Sequence, residues 1–333
     1  MARTFRPALR RVIAFAALAA TSFAATSLLG WTAQAQAPYP SKSVRFIVPY
    51  APGGLPDTVA RIVGQRLQER IGQPVVIDNR PGSNGSVAAG VIATAKPDGY
   101  TFMLTDGSML SINPLLYTKL AYQPSKDFIP VALLARAPLF LAVHPKVPVS
   151  TMKEFIEYAK KNPLNYGSSG VGSTHHLTME AVKSSLGIDL SHIPYKGSGQ
   201  SVPGLIGGQV EVLFSAYPSL ASFVKDNRVK LLATNGAQRS SQAPDVPAIA
   251  EFIPEFDFAP IVGVLAPIGT PKEAIDKMAA EVTAAAKEPE VVRQLAAAGI
   301  EAVGVGPEEY ARAIEGENAR VAKVVQTAGI KPE

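Results

Sequence analysis

Four glycine-rich stretches carry the residues best suited to holding a small ligand. They are Tyr50-Ala51-Pro52-Gly53-Gly54-Leu55-Pro56-Asp57, Asn79-Arg80-Pro81-Gly82-Ser83-Asn84-Gly85, Tyr166-Gly167-Ser168-Ser169-Gly170-Val171-Gly172-Ser173-Thr174 and Tyr195-Lys196-Gly197-Ser198-Gly199. Each stands where a β-branched run hands over to an amphipathic stretch. Glycine lets the backbone approach a ligand closely. The first amides of the helix that follows have no partner within it, and the helix dipole favours an anion there. A single loop of this kind reads equally well as a tight turn with capping serines. Four of them at the same end of successive strands point to a binding cleft, because open α/β sheets bind ligands at that end.

Other chemistries lack their residues. No dinucleotide fingerprint forms in the third loop, since His175 stands where its last glycine would fall, and Gly85 to Gly90 has phosphate-loop spacing but is followed by Val91. Gly167-Ser168-Ser169-Gly170 is not a nucleophile elbow. The chain has no cysteine, which removes thiol catalysis, thiolate zinc sites and disulfides. His175 and His176 are adjacent, so on a helix they point about 100° apart and do not share a metal. Asp57 and Asp106 are the acids that could meet across a cleft. No catalytic residue, metal or cofactor is expected.

These loops need strands and helices to hold them. Val44–Pro49, Pro74–Asp78 and Thr101–Thr105 read as strands, separated by helical stretches such as Pro56–Ile71 with Val59, Ile62, Val63 and Leu67 on one face. A second series follows His144, with strands at Leu164–Gly167, His192–Tyr195, Val210–Ser215 and Val229–Ala233. The end is mainly helical: Pro271–Lys287, Pro289–Ala298 and Pro307–Thr327 each open on a proline. Alternation of this kind argues for parallel sheets flanked by helices. The apolar runs Leu139–Val143 and Ile261–Ala266 are the expected crossings between two domains.

The first 35 residues read as an export signal. Arg3, Arg6, Arg10 and Arg11 precede an apolar run from Val12 to Trp31, which ends in the small-x-small pattern Ala33-Gln34-Ala35. Four of the chain's 32 Lys and Arg and none of its 27 acids fall in this segment, so the remainder is close to neutral. The overall charge of +5 therefore gives no support to nucleic-acid binding.

At the loops the chain resembles the Bug family, the tripartite tricarboxylate transporter receptors. The matching segments are VPYAPGGLPDTVAR (48–61), VVIDNRPGSNGSVAAGVIATAKPDGYTFML (75–104), INPLLYTKLAYQPSKDFIPVALLA (112–135), LNYGSSGVGSTHHL (164–177), HIPYKGSGQSVPGLIGGQVEVLF (192–214), LLATNGAQRSSQAPDVPAIAE (231–251) and APIGTPKEAIDKM (266–278). The resemblance implies an α/β, two-lobed Venus-flytrap binding protein, each lobe a mixed sheet flanked by helices. Lobe 1 is expected from 36–143 plus 264–333 and lobe 2 from 144–263, with 1–35 removed on export to the periplasm. It further implies a monomeric receptor, not an enzyme, that passes a small carboxylate to membrane transport subunits; an extracytoplasmic sensor feeding a membrane kinase is the alternative. Carried over residue by residue, the ligand site comprises Tyr50, Gly53, Gly54, Asp57, Thr105 and Ser108 from the first lobe, and Asp106 stands beside them as a further candidate. Ser168, Ser169, Gly170, Ser173, Thr174, Lys196 and Ser215 come from the second. Leu55-Pro56 and Asp106 depart from the family pattern, and an acid at 106 would repel an anion unless compensated.

Overall fold

The computed structural model describes residues 39–82, 85–195 and 197–332. The expected export signal lies outside them, as does Lys196. Lys42–Glu333 forms one compact unit. It opens with β1 (Val44–Val48), α1 (Leu55–Ile71), β2 (Val75–Asn79), α2 (Ser86–Ala93) and β3 (Thr101–Asp106), followed by β4 (Phe128–Arg136) and β5 (Leu139–Val143). A second alternation runs through α3 (Met152–Ala159), β6 (Leu164–Ser168), α4 (Thr174–Leu186), β7 (Leu190–Pro194), α5 (Ser198–Ile206), β8 (Val212–Ala216), α6 (Tyr217–Lys225) and β9 (Lys230–Thr234). The chain closes with β10 (Ile261–Pro267), α7 (Lys272–Ala286), α8 (Pro289–Ala297), β11 (Glu301–Val305) and α9 (Pro307–Thr327).

Helix α1 illustrates how the sequence fixes these elements. Pro56 sits in its first turn, where no backbone donor is needed, and Gly72 ends it in the left-handed conformation at φ 65°. Val59, Val63 and Leu67, spaced by four, are buried against Phe46, Phe102 and Leu104 of the sheet. Full burial of each such side chain contributes about 1.5–3 kcal/mol.

Two mixed sheets form the two lobes. The first has six strands in the order β11-β4-β10-β3-β1-β2, and the second five in the order β7-β6-β8-β5-β9. The parallel pairs β1–β2, β1–β3, β6–β7 and β6–β8 are those expected from the alternation. The remainder is antiparallel: β10 lies between β3 and β4, and β5 between β8 and β9. Strands β4 and β11, whose partners are far away in sequence, were not expected.

The crossings fall earlier than the sequence suggested. Leu139–Val143 is an inner strand of the second sheet and Ile261–Pro267 an inner strand of the first. The chain therefore passes over between Arg136 and Leu139 and returns just before Ile261. The two passages run side by side: the amide of Ala137 donates to the carbonyl of Pro260 at 2.9 Å. Asn235 braces them, accepting from the Leu139 amide and donating to the Phe258 carbonyl, both at 2.8 Å. The C-terminal helix also departs from the expected division. Tyr310 of α9 packs with Ile47, Met103 and Leu265 of the first sheet. Further along, Val321 and Val324 join a core with Leu177, Met179 and Phe214 of the second. Among the described residues no helix is long and apolar enough to cross a membrane.

Candidate functional site

The C-terminal ends of β1, β3 and β6 converge on an open cleft of about 430 Å³. One wall is Tyr50, Asp106, Ser108, Leu116 and Tyr117; the other is Ser169 and Val171 to His175. Other surface grooves are of similar size, such as one of about 370 Å³ between Ile62–Glu69 and Glu288–Gln294, but that one runs along the outer faces of α1 and α8, away from the strand ends.

On the first wall, Tyr50 Oη donates to Asp106 Oδ1 at 2.9 Å, and the Ser108 amide donates to the same oxygen at 3.1 Å. Burial pushes the Asp106 carboxyl above the usual carboxylate range, against the opposing effect of these two donors and of the Ser108 hydroxyl. Burial, together with the charge of Asp106, also raises the Tyr50 phenol, so it remains a hydrogen-bond donor. Asp106 is among the residues that line the cleft, so it does not turn away from it.

The glycines behind this wall serve the loop itself. Asp57, only 2 % exposed, accepts from the Gly53 amide at 2.8 Å, from Arg61 Nε at 2.9 Å and from Asn79 Nδ2 at 2.9 Å. Asn79 Nδ2 also donates to the Tyr50 carbonyl at 3.0 Å, and the Gly54 amide donates to the Ala51 carbonyl at 3.3 Å. The amides of Gly53 and Gly54, expected to be free for a ligand, are thus committed, and Gly53, Gly54 and Asp57 do not line the cleft. No hydrogen bond joins Asp57 to Asp106 among the described residues. Burial alone would raise the Asp57 carboxyl, but Arg61, the Gly53 amide and Asn79 together hold it below its ordinary value. Thr105 is fully buried under the wall, with its hydroxyl on the Asp106 carbonyl at 3.2 Å.

The second wall is built on the turn from β6 into α4. Gly170 takes φ 125°, a conformation only glycine adopts readily, and its carbonyl accepts from Ser173 Oγ at 2.7 Å. Ser173 caps α4 by accepting from the His176 amide at 3.3 Å. The amides of Thr174 and His175, first in the helix, have no partner within it. Ser169 Oγ lies 3.1 Å from Ser198 Oγ, which is 3.4 Å from His175 Nε2. Burial pushes His175 down to about 4, so the ring is neutral at neutral pH. This wall presents hydroxyls, amides and a neutral imidazole, a set that suits an anion's oxygens.

Sequence reasoning weighed His175 only as a metal ligand and missed it as a cleft residue. Its place one residue after Thr174 at a helix start was the available signal. His176 points elsewhere, as its adjacency requires: its Nδ1 accepts from the Gly172 amide at 3.1 Å and its ring stacks on His192 at 4.1 Å. Ser168 is buried behind the wall, with Oγ 2.7 Å from His192 Nε2 and accepting from the Gly170 amide at 3.1 Å. The Ser168–His192 pair has the spacing of a nucleophile and its base. Yet the serine is sealed from the cleft, and among the described residues no carboxylate hydrogen-bonds His192. Ser215 is buried in β8, with Oγ unpaired among the described residues. Of the fourteen candidate residues, the structure brings Tyr50, Asp106, Ser108, Ser169, Ser173 and Thr174 together in one cleft. Among the described residues no group of His, Asp and Glu is arranged to hold a metal.

Comparisons with known proteins agree with this architecture. The pattern of the tripartite tricarboxylate transporter family receptor (TctC) matches residues 59–330. Protein BugT of Bordetella pertussis is 33% identical, over 88% of this chain and 91% of its own. Among solved structures, R. palustris Rpa4515 with adipate is 36% identical with a TM-score of 0.76, covering 89% of this chain and 100% of that one. MatC from Rhodopseudomonas palustris with bound malate is 31% identical with a TM-score of 0.70, covering 86% and 100%.

Proposed function

The chain belongs to the tripartite tricarboxylate transporter receptor family, and we propose that it captures a small carboxylate between its two lobes and delivers it to membrane transport subunits. The family is one of periplasmic solute-binding receptors, not enzymes. The observation that carries the reading is the composition of the cleft. One lobe offers the Ser169, Ser173 and Thr174 hydroxyls beside the open first turn of α4, and the other offers Tyr50 and Ser108. Helix-start amides and hydroxyls hold a carboxylate without a matching cation. The relatives solved with adipate and malate support this ligand class. The two side-by-side crossings at 136–139 and 257–261 are suited to act as a hinge, with most of the helical C-terminal region moving with the first lobe. Residues 1–35 fit an export signal that would place the receptor in the periplasm, where it would act as a monomer.

A thermal-shift screen of mono-, di- and aromatic carboxylates against the protein lacking residues 1–35 tests the proposal. A ligand at 100 times its Kd adds about 2.7 kcal/mol of stability and raises Tm measurably. No shift with any carboxylate, at concentrations up to tens of millimolar, would sink it.

A further inference from the structure

The two walls of the cleft carry opposite electrostatic demands. The second wall is a set of donors at the start of α4. The first holds a carboxylate, Asp106, whose partners among the described residues are neutral donors, the Tyr50 hydroxyl and the Ser108 amide and hydroxyl. No lysine or arginine lines the cleft or pairs with Asp106 among the described residues. A plain dicarboxylate spanning the cleft would set one of its own charges against that acid, and like charges in a partly desolvated site repel strongly. A ligand that is anionic at one end and cationic at the other satisfies both walls.

Building on the carboxylate-receptor reading, we propose that the cleft selects amino-carboxylates, with the carboxylate at the α4 turn and the ammonium on Asp106. An ammonium brings donors and charge to an acid that has no cation among its partners. Ser169, Ser173 and Thr174 hold the other end. Leu116, Tyr117 and Val171 border the space between, which suits a short methylene chain. Asp106 is then the residue that sets specificity, and an amide in its place reverses the preference.

The test is calorimetric titration of the wild-type protein and Asp106→Asn at pH 7. The panel is glycine, β-alanine, 4-aminobutyrate, 5-aminopentanoate and 6-aminohexanoate, each beside the plain diacid and the ω-hydroxy acid of matching length. The wild type is expected to bind at least one amino acid tenfold or more tightly than its matched diacid. In Asp106→Asn that amino acid weakens tenfold or more while the diacid tightens. Equal binding of the amino acid by both proteins, or wild-type preference for the diacid or hydroxy acid, overturns the assignment and leaves the carboxylate receptor standing. A diacid that binds the wild type best with proton uptake, seen as buffer-dependent heat, overturns it too, by placing a protonated carboxyl at 106. Failure of every carboxylate overturns both readings. Because Asn keeps the size of Asp and can accept from Tyr50, melting of the unliganded variant near the wild-type Tm separates lost binding from lost fold.

Discussion

Tyr50 and Asp106 are neighbours by register as well as by hydrogen bond. The parallel pairing of β1 and β3 sets Arg45 beside Thr101, Phe46 beside Phe102 and Ile47 beside Met103. Continued past the end of β1, the same offset brings Tyr50 beside Asp106, where Oη and Oδ1 meet at 2.9 Å. A pairing between a loop residue and a strand end 56 positions apart in the chain is thus a property of the sheet beneath them.

Removing the Tyr50 hydroxyl isolates that contact. Tyr50→Phe should cost about 1.5–3 kcal/mol at neutral pH, the worth of a hydrogen bond to a charged group. The hydroxyl lowers the Asp106 pKa, so in the variant the carboxyl should titrate at higher pH. The cost should shrink as pH falls and Asp106 protonates in both proteins. Urea denaturation at several pH values, with an NMR titration of the carboxyl, checks both. A cost independent of pH would mean that the bond does not depend on the charge.

Asp57 is expected to matter for folding and not for binding. Its carboxylate ties the Gly53 amide, Arg61 and Asn79 together below the first wall. Asp57→Asn keeps one acceptor but loses the charge, for an expected loss of about 1–3 kcal/mol. Its depressed pKa gives stability that is present above the unfolded-state value and is lost as pH falls through the folded one. The acid-side difference between wild type and variant should therefore narrow. Ligand Kd should be unchanged in the folded variant, and a tenfold weakening in calorimetry would return Asp57 to the site.

How much of this could be read from the sequence depends on how local each signal was. Helices opening on Pro56, Pro289 and Pro307, and apolar faces spaced like Val59, Val63 and Leu67, are set by residues a few positions apart. The serine loop from 168 to 174 was legible because a turn between strand and helix exposes helix-start amides wherever it occurs. Strands β4 and β11 pair with partners far away in sequence, so nothing near them marked their place. The loop at 50–57 looked identical in kind to the serine loop, yet one buried acid, Asp57, uses up its donors. Alternation of elements could not reveal that. Nor could it show that Val321 and Val324 of α9 would cross to the second lobe's core.

Charge reversal on the second wall should separate an anion site from a general polar surface. Ser169→Ala removes one hydroxyl, which touches Ser198 at 3.1 Å, and should weaken a bound carboxylate by about 0.5–1.5 kcal/mol. Ser169→Asp places an anion beside the α4 turn and should abolish measurable binding. Titration of both variants with the ligand found in the screen decides the matter. Equal losses would show that the carboxylate is held elsewhere.

The last prediction concerns Glu317, which links α9 to the cleft from behind. Its carboxyl lies so close to Gly107, between Asp106 and Ser108, that a side chain at 107 would overlap it, and its Oε2 has no hydrogen-bond partner among the described residues. Burial, with the charges of Asp106 and Asp257 and against the opposing Arg320 and Arg136, pushes the group up to about 8. In the unfolded chain it ionises near the ordinary glutamate value, so between that value and about 8 folding takes up a proton. Stability must then fall as pH rises through this window, by up to about 1.4 kcal/mol per pH unit, and the penalty is complete above pH 8. Glu317→Gln keeps the shape and removes the titration. The variant should match the wild type near pH 5 and be more stable at pH 8, in chemical denaturation followed across that range. Superimposable pH profiles would mean that Glu317 is ionised and paired in the folded protein, and the closed packing of α9 behind Gly107 would need another explanation.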